Sequence, residues 1–309
     1  SIIGPYRLET KLGEGGFGVV WRARQTEPVM REVALKILKL GMDSVAILKR
    51  FKVEQQMLAM MEHSNIAKLI EVGMTRDGRP FFAMELVRGV PVTKYCDDKK
   101  LGIRERLGIF VDVCLAVNHA HQKGVIHRDL KPSNMLVMDD PSGPIAKVID
   151  FGISQATRGS DMLFTQAITA RGELLGTPAY MAPGQFSQNT SIDTRADIYA
   201  LGAVLYELMV GRPPDGANGA MTSDGLQGVL NGAEPDIARP SAVLRRLDAG
   251  DRAILARKRD VSGIELQSLV THDLEWIAMK ALERDPEVRY ATVEGLVNDI
   301  RRSEANEPI

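Results

Sequence analysis

A chain of 309 residues, 44% of them hydrophobic, has room for one large domain or for two lobes, and can bury a sizeable core. Its 39 Lys and Arg against 40 Asp and Glu leave no global field to draw it to nucleic acid or to an anionic membrane, so preferences for partners must be local. Two cysteines, Cys96 and Cys114, are too few for a disulfide scaffold, and no apolar run approaches a membrane span. The opening Ser1-Ile2-Ile3-Gly4-Pro5 lacks signal-peptide order, so the expectation is a cytoplasmic domain excised from a longer protein, one that a membrane anchor elsewhere in that protein would leave on the cytosolic side.

Three β-branched runs come first, Tyr6 to Leu12, Val19 to Arg24 and Val33 to Leu38, with turn chemistry between them, and predict an antiparallel meander. From Asp43 to Met61 the period turns helical, with Ile47, Phe51, Glu54, Leu58 and Met61 at alternating spacings of four and three. Ala67 to Val72 and Pro80 to Val87 flank a turn at Asp77-Gly78 and complete a five-stranded sheet with one helix, a small α+β lobe over residues 1–87.

Residues 88–309 read as a larger, mainly helical lobe. Ile103, Leu107, Phe110, Cys114, Val117 and His121 make one apolar stripe, which Gly124 stops. Further helices are predicted from Asp193 to Val210, Thr271 to Leu282 and Val293 to Ser303. Between Asp150 and Pro183 lies a Thr-, Gly- and Arg-rich stretch without period, of the length that usually has a task. Pro214 to Val261 is dotted with Gly and Pro and shows no strong pattern.

Four motifs carry chemistry. In Gly13-Glu14-Gly15-Gly16-Phe17-Gly18-Val19-Val20 the absent side chains let backbone N–H groups close on phosphate oxygens, although an ordinary Gly-rich hairpin has the same look. A dinucleotide-binding loop must run into a helix, whereas Val19 to Arg24 continues as a strand, which excludes that fold. In Val33-Ala34-Leu35-Lys36-Ile37-Leu38 alternation places Ala34 and Lys36 on one face. Such a lysine is either a solvated edge residue or, with Glu54 interrupting the next helix's apolar stripe, half of an ion pair.

The third motif, His127-Arg128-Asp129-Leu130-Lys131-Pro132-Ser133-Asn134, packs polar groups between a helix and the short strand Met135-Leu136-Val137. The fourth, Val148-Ile149-Asp150-Phe151-Gly152, sets an acid directly after an apolar strand. Asp150 and the amide oxygen of Asn134 are hard ligands that suit Mg²⁺, which typically takes few protein ligands.

Together these motifs resemble the eukaryotic-like serine/threonine protein kinases of bacteria, whose known motif set they match. Gly176-Thr177-Pro178, Ala182-Pro183, Asp197-Ile198-Tyr199-Ala200-Leu201-Gly202 and Arg289 extend the resemblance along nearly the whole chain. It implies a bilobal kinase fold and the cofactors ATP and Mg²⁺. Leu12 and the loop from Gly13 to Val20 would cover the phosphates, with Val20, Ala34 and Leu136 enclosing adenine. Met84 matches the residue guarding the back of that site, and the backbone of Glu85 and Val87 would bind the adenine edge. Lys36, paired with Glu54, would hold the α- and β-phosphates, and Asp150 and Asn134 the metal. Asp129 would take or orient the substrate hydroxyl proton, and Lys131 would neutralise the γ-phosphate. Leu58, Leu69, His127 and Phe151 match a structural stack, with Asp197 at its base.

Lys131 and Thr177 resemble the pattern of kinases that modify serine and threonine of protein substrates. Arg128 beside Asp129 implies control by phosphate in the activation segment 150–183, with Thr169 and then Thr165 as the sites, although both also read as plain solvated hydroxyls. Activation in trans would make the partner a second copy in a transient homodimer. No nucleic-acid partner and no membrane insertion are expected. Two departures stand out: Pro91 occupies a position where many relatives carry an acid for the ribose, and Gly184 follows Ala182-Pro183 where they carry a glutamate paired with an arginine matching Arg289. Losing that glutamate would orphan Arg289. A nucleotide-binding scaffold with weak or no transfer is therefore the competing reading, and a small-molecule kinase of similar fold the third.

Overall fold

A computed structural model describes residues 1–15, 18–39, 61–151, 178–186, 193–214 and 237–309. The helix expected over 43–61 with Glu54 and Leu58, together with Gly16, Phe17, Gly152, Thr165, Thr169, Gly176 and Thr177, lies outside the described residues. The chain forms two compact units. Among the described residues the first draws on Ser1–Arg88, His119–Arg128 and the stretch from Lys147 to Phe151; the second draws on Gly89–Asn118, Asp129–Ala146 and the residues from Pro178 onward.

The first unit is built on an antiparallel sheet of β1 (Ile2–Ile3), β2 (Tyr6–Glu14), β3 (Gly18–Gln25), β4 (Arg31–Leu38), β5 (Leu69–Met74) and β6 (Pro80–Glu85), ordered β1-β2-β3-β4-β6-β5. This corrects the expected five strands to six. β1 is only two residues long, pairing Ile2 with Arg7 and Ile3 with Tyr6, and is too short for alternation to show in the sequence. Tyr6, Ala23, Val33, Leu35, Ile37, Phe81 and Ala83 bury one face of the sheet. Full burial of a Val or Leu side chain stabilises by about 1.5–3 kcal/mol, so this face fixes the register. Tyr6 and Phe81 meet edge to face at 5.8 Å between ring centroids. The Tyr6 hydroxyl donates to the Glu71 carboxylate.

The second unit holds β7 (Val90–Pro91), β8 (Met135–Asp140) and most of β9 (Gly143–Val148), a small three-stranded sheet, and a set of helices. They are α1 (Val92–Asp98), α2 (Ile103–Gln122, which passes into the first unit at His119), α3 (Arg195–Val210), α4 (Pro240–Arg246), α5 (Ala249–Arg257), α6 (Gly263–Val270), α7 (Asp273–Ala281) and α8 (Val293–Ala305). The expected helices at 103–121, 193–210, 271–282 and 293–303 correspond to α2, α3, α7 and α8. Among the described residues no helix is long and apolar enough to cross a membrane.

α3 is the centre of this unit: of its 16 residues only Arg195 and Glu207 are not buried, so it is enclosed on every side. It passes so close to α7 that a Cβ on Gly202 would lie 2.7 Å from the Ala281 Cβ and 3.3 Å from the Leu282 Cγ. Alanine has the higher helix propensity by about 1 kcal/mol, yet overpacking costs about 1–3 kcal/mol. Gly202→Ala is therefore expected to lower the melting temperature; a thermal melt at or above wild type would show that α7 yields freely.

A buried polar cluster joins four helices. Arg106 on α2, 1% exposed, donates to Asp97 Oδ1 at 2.8 Å and to the carbonyls of Leu101 and Cys96 at 2.8 and 3.0 Å. It also reaches the Lys258 carbonyl at 2.5 Å. Arg259, wholly buried, donates to the carbonyls of Met209 at 2.6 Å and Leu208 at 2.9 Å, capping the last turn of α3 where its dipole is negative. Its Nη1 also lies 3.8 Å from Asp97 Oδ1. Cys96 and Cys114 are buried thiols as expected, and burial pushes Cys96 up to about 11.

Candidate active site

In the first unit, register places Val20 opposite Lys36, and Ala34 opposite Met84. Direct pairing and the two-residue period thus put Val20, Ala34, Lys36 and Met84 on one face, away from the Tyr6–Leu35 core. Lys36 is 9% exposed, and its Nζ lies 3.0 Å from Asp150 Oδ2. Within the Gly-rich loop the described residues form a hairpin, Gly13 opposite Val20 and Glu14 opposite Val19, with Gly15 N donating to Gly18 O at 2.9 Å. Gly18 is sterically required, because a Cβ there would sit 2.3 Å from the Ile37 carbonyl oxygen. Leu12 is half exposed, and hydrogen bonds from Lys11 and Lys39 hold the exposed Glu14 carboxyl below its usual range.

Asp150 is presented by a tethered strand end. Val148 N donates to Asn65 O at 2.8 Å and Ala67 N to Val148 O at 2.9 Å, a parallel bridge that anchors the segment. The next carbonyl, Ile149, lies 2.9 Å from Nε2 of the fully buried His127. A carbonyl only accepts, so this His127 nitrogen carries the proton. The His127 ring packs against Phe151 at 4.7 Å between centroids, tilted by 60°. Arg128 and Asp150 both adopt left-handed backbone, φ 67° and 65°. Such strain costs on the order of 1–3 kcal/mol per non-glycine residue and clusters at functional sites. Glu85, at the end of β6, pairs with Lys147 at 3.0 Å, and Val87 is half-buried two residues on.

In the second unit a 3₁₀ turn at Pro132–Asn134 folds the third motif back on itself. Lys131 Nζ donates to Asp129 Oδ1 at 3.0 Å and lies 2.9 Å from Oδ2. Asn134 Nδ2 donates to the Asp129 carbonyl at 2.8 Å and to Oδ2 at 3.2 Å. Asn134 is 7% exposed, and this leaves its amide oxygen as the metal-type donor. Leu136 is half-buried on β8, opposite Pro91. The arrangement holds one carboxylate with an ammonium and an amide fixed against it, the parts of a proton acceptor with a positive charge beside it.

Arg289 is not orphaned. It donates to the carbonyls of Glu283 at 2.5 Å, Arg284 at 2.8 Å and Arg195 at 3.1 Å, and stacks at 5.1 Å over the Tyr199 ring. The expectation failed because backbone carbonyls leave no trace in a residue pattern. Those dipoles satisfy its donors but supply no net charge, and burial holds the guanidinium below its usual range. Gly184→Glu is therefore expected to raise stability by only about 1 kcal/mol, less than the value of restoring a missing partner. An unchanged melting temperature would mean that the carbonyls suffice.

Sequence comparison and fold comparison agree on the fold. The protein kinase domain family matches residues 6–298. The chain is 31% identical over 300 residues to the serine/threonine-protein kinase Pkn1 of Myxococcus xanthus, covering 96% of this chain and 38% of that protein. It is 31% identical over 310 residues to the serine/threonine-protein kinase PknB of Mycobacterium tuberculosis, covering 98% and 43%. The chain thus spans less than half the length of these curated relatives. The crystal structure of the Mycobacterium tuberculosis PknI kinase domain superposes with a TM-score of 0.65 over 98% of this chain and 97% of that one, at 23% identity, a likeness of fold. The α+β architecture described above is the fold that these comparisons share. The chain belongs to the protein kinase domain family.

Proposed function

We propose that this chain is a serine/threonine protein kinase domain that transfers the γ-phosphoryl of Mg-ATP to Ser or Thr hydroxyls of proteins, including its own activation segment at Thr169 or Thr165. The observation that carries the proposal is the convergence of Lys131 and Asn134 on the Asp129 carboxylate within 3.2 Å. Phosphoryl transfer asks for positioning and charge neutralisation more than covalent work, and this constellation offers both. Asp129 accepts the hydroxyl proton or orients the hydroxyl, Lys131 neutralises the γ-phosphate, and Lys36, with Glu54 as its partner, holds the other phosphates. Gly13 to Val20 cover them, while Val20, Ala34, Met84, Leu136 and the backbone of Glu85 and Val87 hold the base.

Asp150 and Asn134 would hold Mg²⁺, which neutralises phosphate charge when bound. Among the described residues no group of three or more His, Cys, Asp or Glu gathers to hold a metal. Few hard oxygen donors suit Mg²⁺ better than a closed protein cage does, because the ion completes its shell with phosphates and water. The functional boundary falls near residue 87, with a nucleotide-covering part before it and a catalytic part over 88–309. A transient homodimer serves autophosphorylation, and the domain belongs to the cytosolic side of a longer protein.

The test is incubation with Mg-ATP beside an Asp129→Asn control and mapping of phosphate by mass spectrometry. Phosphothreonine in the wild type alone is expected; nucleotide binding without transfer would establish the scaffold reading instead.

A further inference from the structure

Lys147 has no role in the scheme above, yet it is one of the least exposed lysines of the first unit, its side chain 14% exposed and its ammonium 3.0 Å from both carboxylate oxygens of Glu85. A surface pair would be worth little, but here one partner is largely withdrawn from water and both oxygens are engaged. The Glu85 carboxylate is held a second time, because Lys68 N donates to Oε2 at 3.2 Å. Glu85 N in turn donates to Lys68 O at 2.9 Å.

Ala67 N donates to Val148 O at 2.9 Å, and Val148 follows Lys147 directly. The contacts therefore close a ring: from Glu85 through Lys68 and Ala67 to Val148, then back through Lys147 to Glu85. Asp150 stands two residues beyond Val148, where its carboxylate meets Lys36. Only the Lys147 side chain closes this ring; the other links are backbone or end on Glu85 itself.

We infer that Lys147 is a positioning residue for nucleotide binding, which locks the Glu85 peptide to the strand that presents Asp150. The inference rests on the proposed function, in which the Glu85 backbone meets the adenine edge and Asp150 the metal. Lys147 touches neither base nor phosphate in this scheme; it acts by holding the Glu85 peptide at a fixed distance from Asp150. Losing the ammonium opens the ring and leaves a half-buried carboxylate with one backbone donor. The Glu85 peptide then gains freedom that nucleotide binding must remove, so affinity falls while the proton-accepting machinery at Asp129 is untouched.

The experiment measures the Kd of a fluorescent ADP analogue with Mg²⁺, the KM for ATP and kcat for wild type, Lys147→Met, Lys147→Arg and Glu85→Gln. Lys147→Met is expected to raise Kd and KM about tenfold, equivalent to 1.4 kcal/mol, with kcat changed less than about threefold. Lys147→Arg, able to engage both oxygens, restores most of the affinity. Glu85→Gln gives a similar rise, and adding Lys147→Met to it gives little more. An unchanged Kd and KM in Lys147→Met, or a fall confined to kcat or melting temperature, overturns the inference while the proposed function stands. A wild type that binds no Mg-nucleotide overturns both.

Discussion

Asp129→Asn is expected to lower the rate of phosphoryl transfer by about 10² to 10⁴, the usual range for losing a general acid or base, while nucleotide affinity stays within about twofold. The amide is nearly the same size, and its single oxygen in the Oδ2 place can still accept from Lys131 and Asn134, which now lie 2.9 and 3.2 Å from that atom, so the loop keeps its shape. What disappears is a site that can take a proton and a negative charge that orients a donor hydroxyl. Single-turnover transfer to a protein substrate, measured beside equilibrium nucleotide binding, separates the two. A variant that transfers phosphate at the wild-type rate would remove Asp129 from the mechanism. A variant that loses binding and transfer equally would make it a structural residue of the loop.

Much of this site was legible in the sequence because its parts obey local periods. Alternation along β4 was enough to set Lys36 opposite the Val33, Leu35 and Ile37 face, and the structure keeps it there beside Asp150. The density of polar residues between a helix and a strand located Asp129, Lys131 and Asn134 without any long-range information. What stayed hidden depends on contacts between distant residues or on backbone groups. β1 is a strand only because Tyr6 and Arg7 pair with it. α4 has seven residues and opens on Pro240, so it offers less than two turns of periodicity inside a Gly- and Pro-dotted stretch. Arg289 found backbone carbonyls where no partner was expected, and Lys147 showed itself only through Glu85, 62 residues away. The Gly-rich loop's glycines Gly13 and Gly18 were readable, but the steric demand at Gly18 comes from Ile37 across the ladder.

The same limit hid the buried charge cluster of the second unit. Asp97→Ala is expected to destabilise this unit by about 3–5 kcal/mol, the range for breaking a buried ion pair from one side, and to lower its melting temperature by on the order of 10 °C. Arg106 and Arg259 are both buried, and the carbonyls around them satisfy hydrogen bonds without cancelling charge. Burial, with Arg106 beside it, already brings Arg259 down to about 10. Asp97 is the carboxylate they share, and it also takes Lys258 Nζ at 3.1 Å. Asp97→Asn should lose nearly as much as alanine if charge is what matters; an asparagine variant as stable as wild type would assign the effect to hydrogen bonding. The pH dependence gives an independent reading. Burial alone pushes the Asp97 carboxyl up, but hydrogen bonds from Arg106 and Lys258 outweigh it, so the folded group titrates below its usual range. A carboxyl held low in the folded state contributes stability that is present above its unfolded value of about 3.9 and is lost as pH falls through the folded one. Wild type should therefore lose stability toward strong acid more steeply than Asp97→Asn does, and parallel acid denaturation curves for the two would show that Asp97 does not hold the cluster.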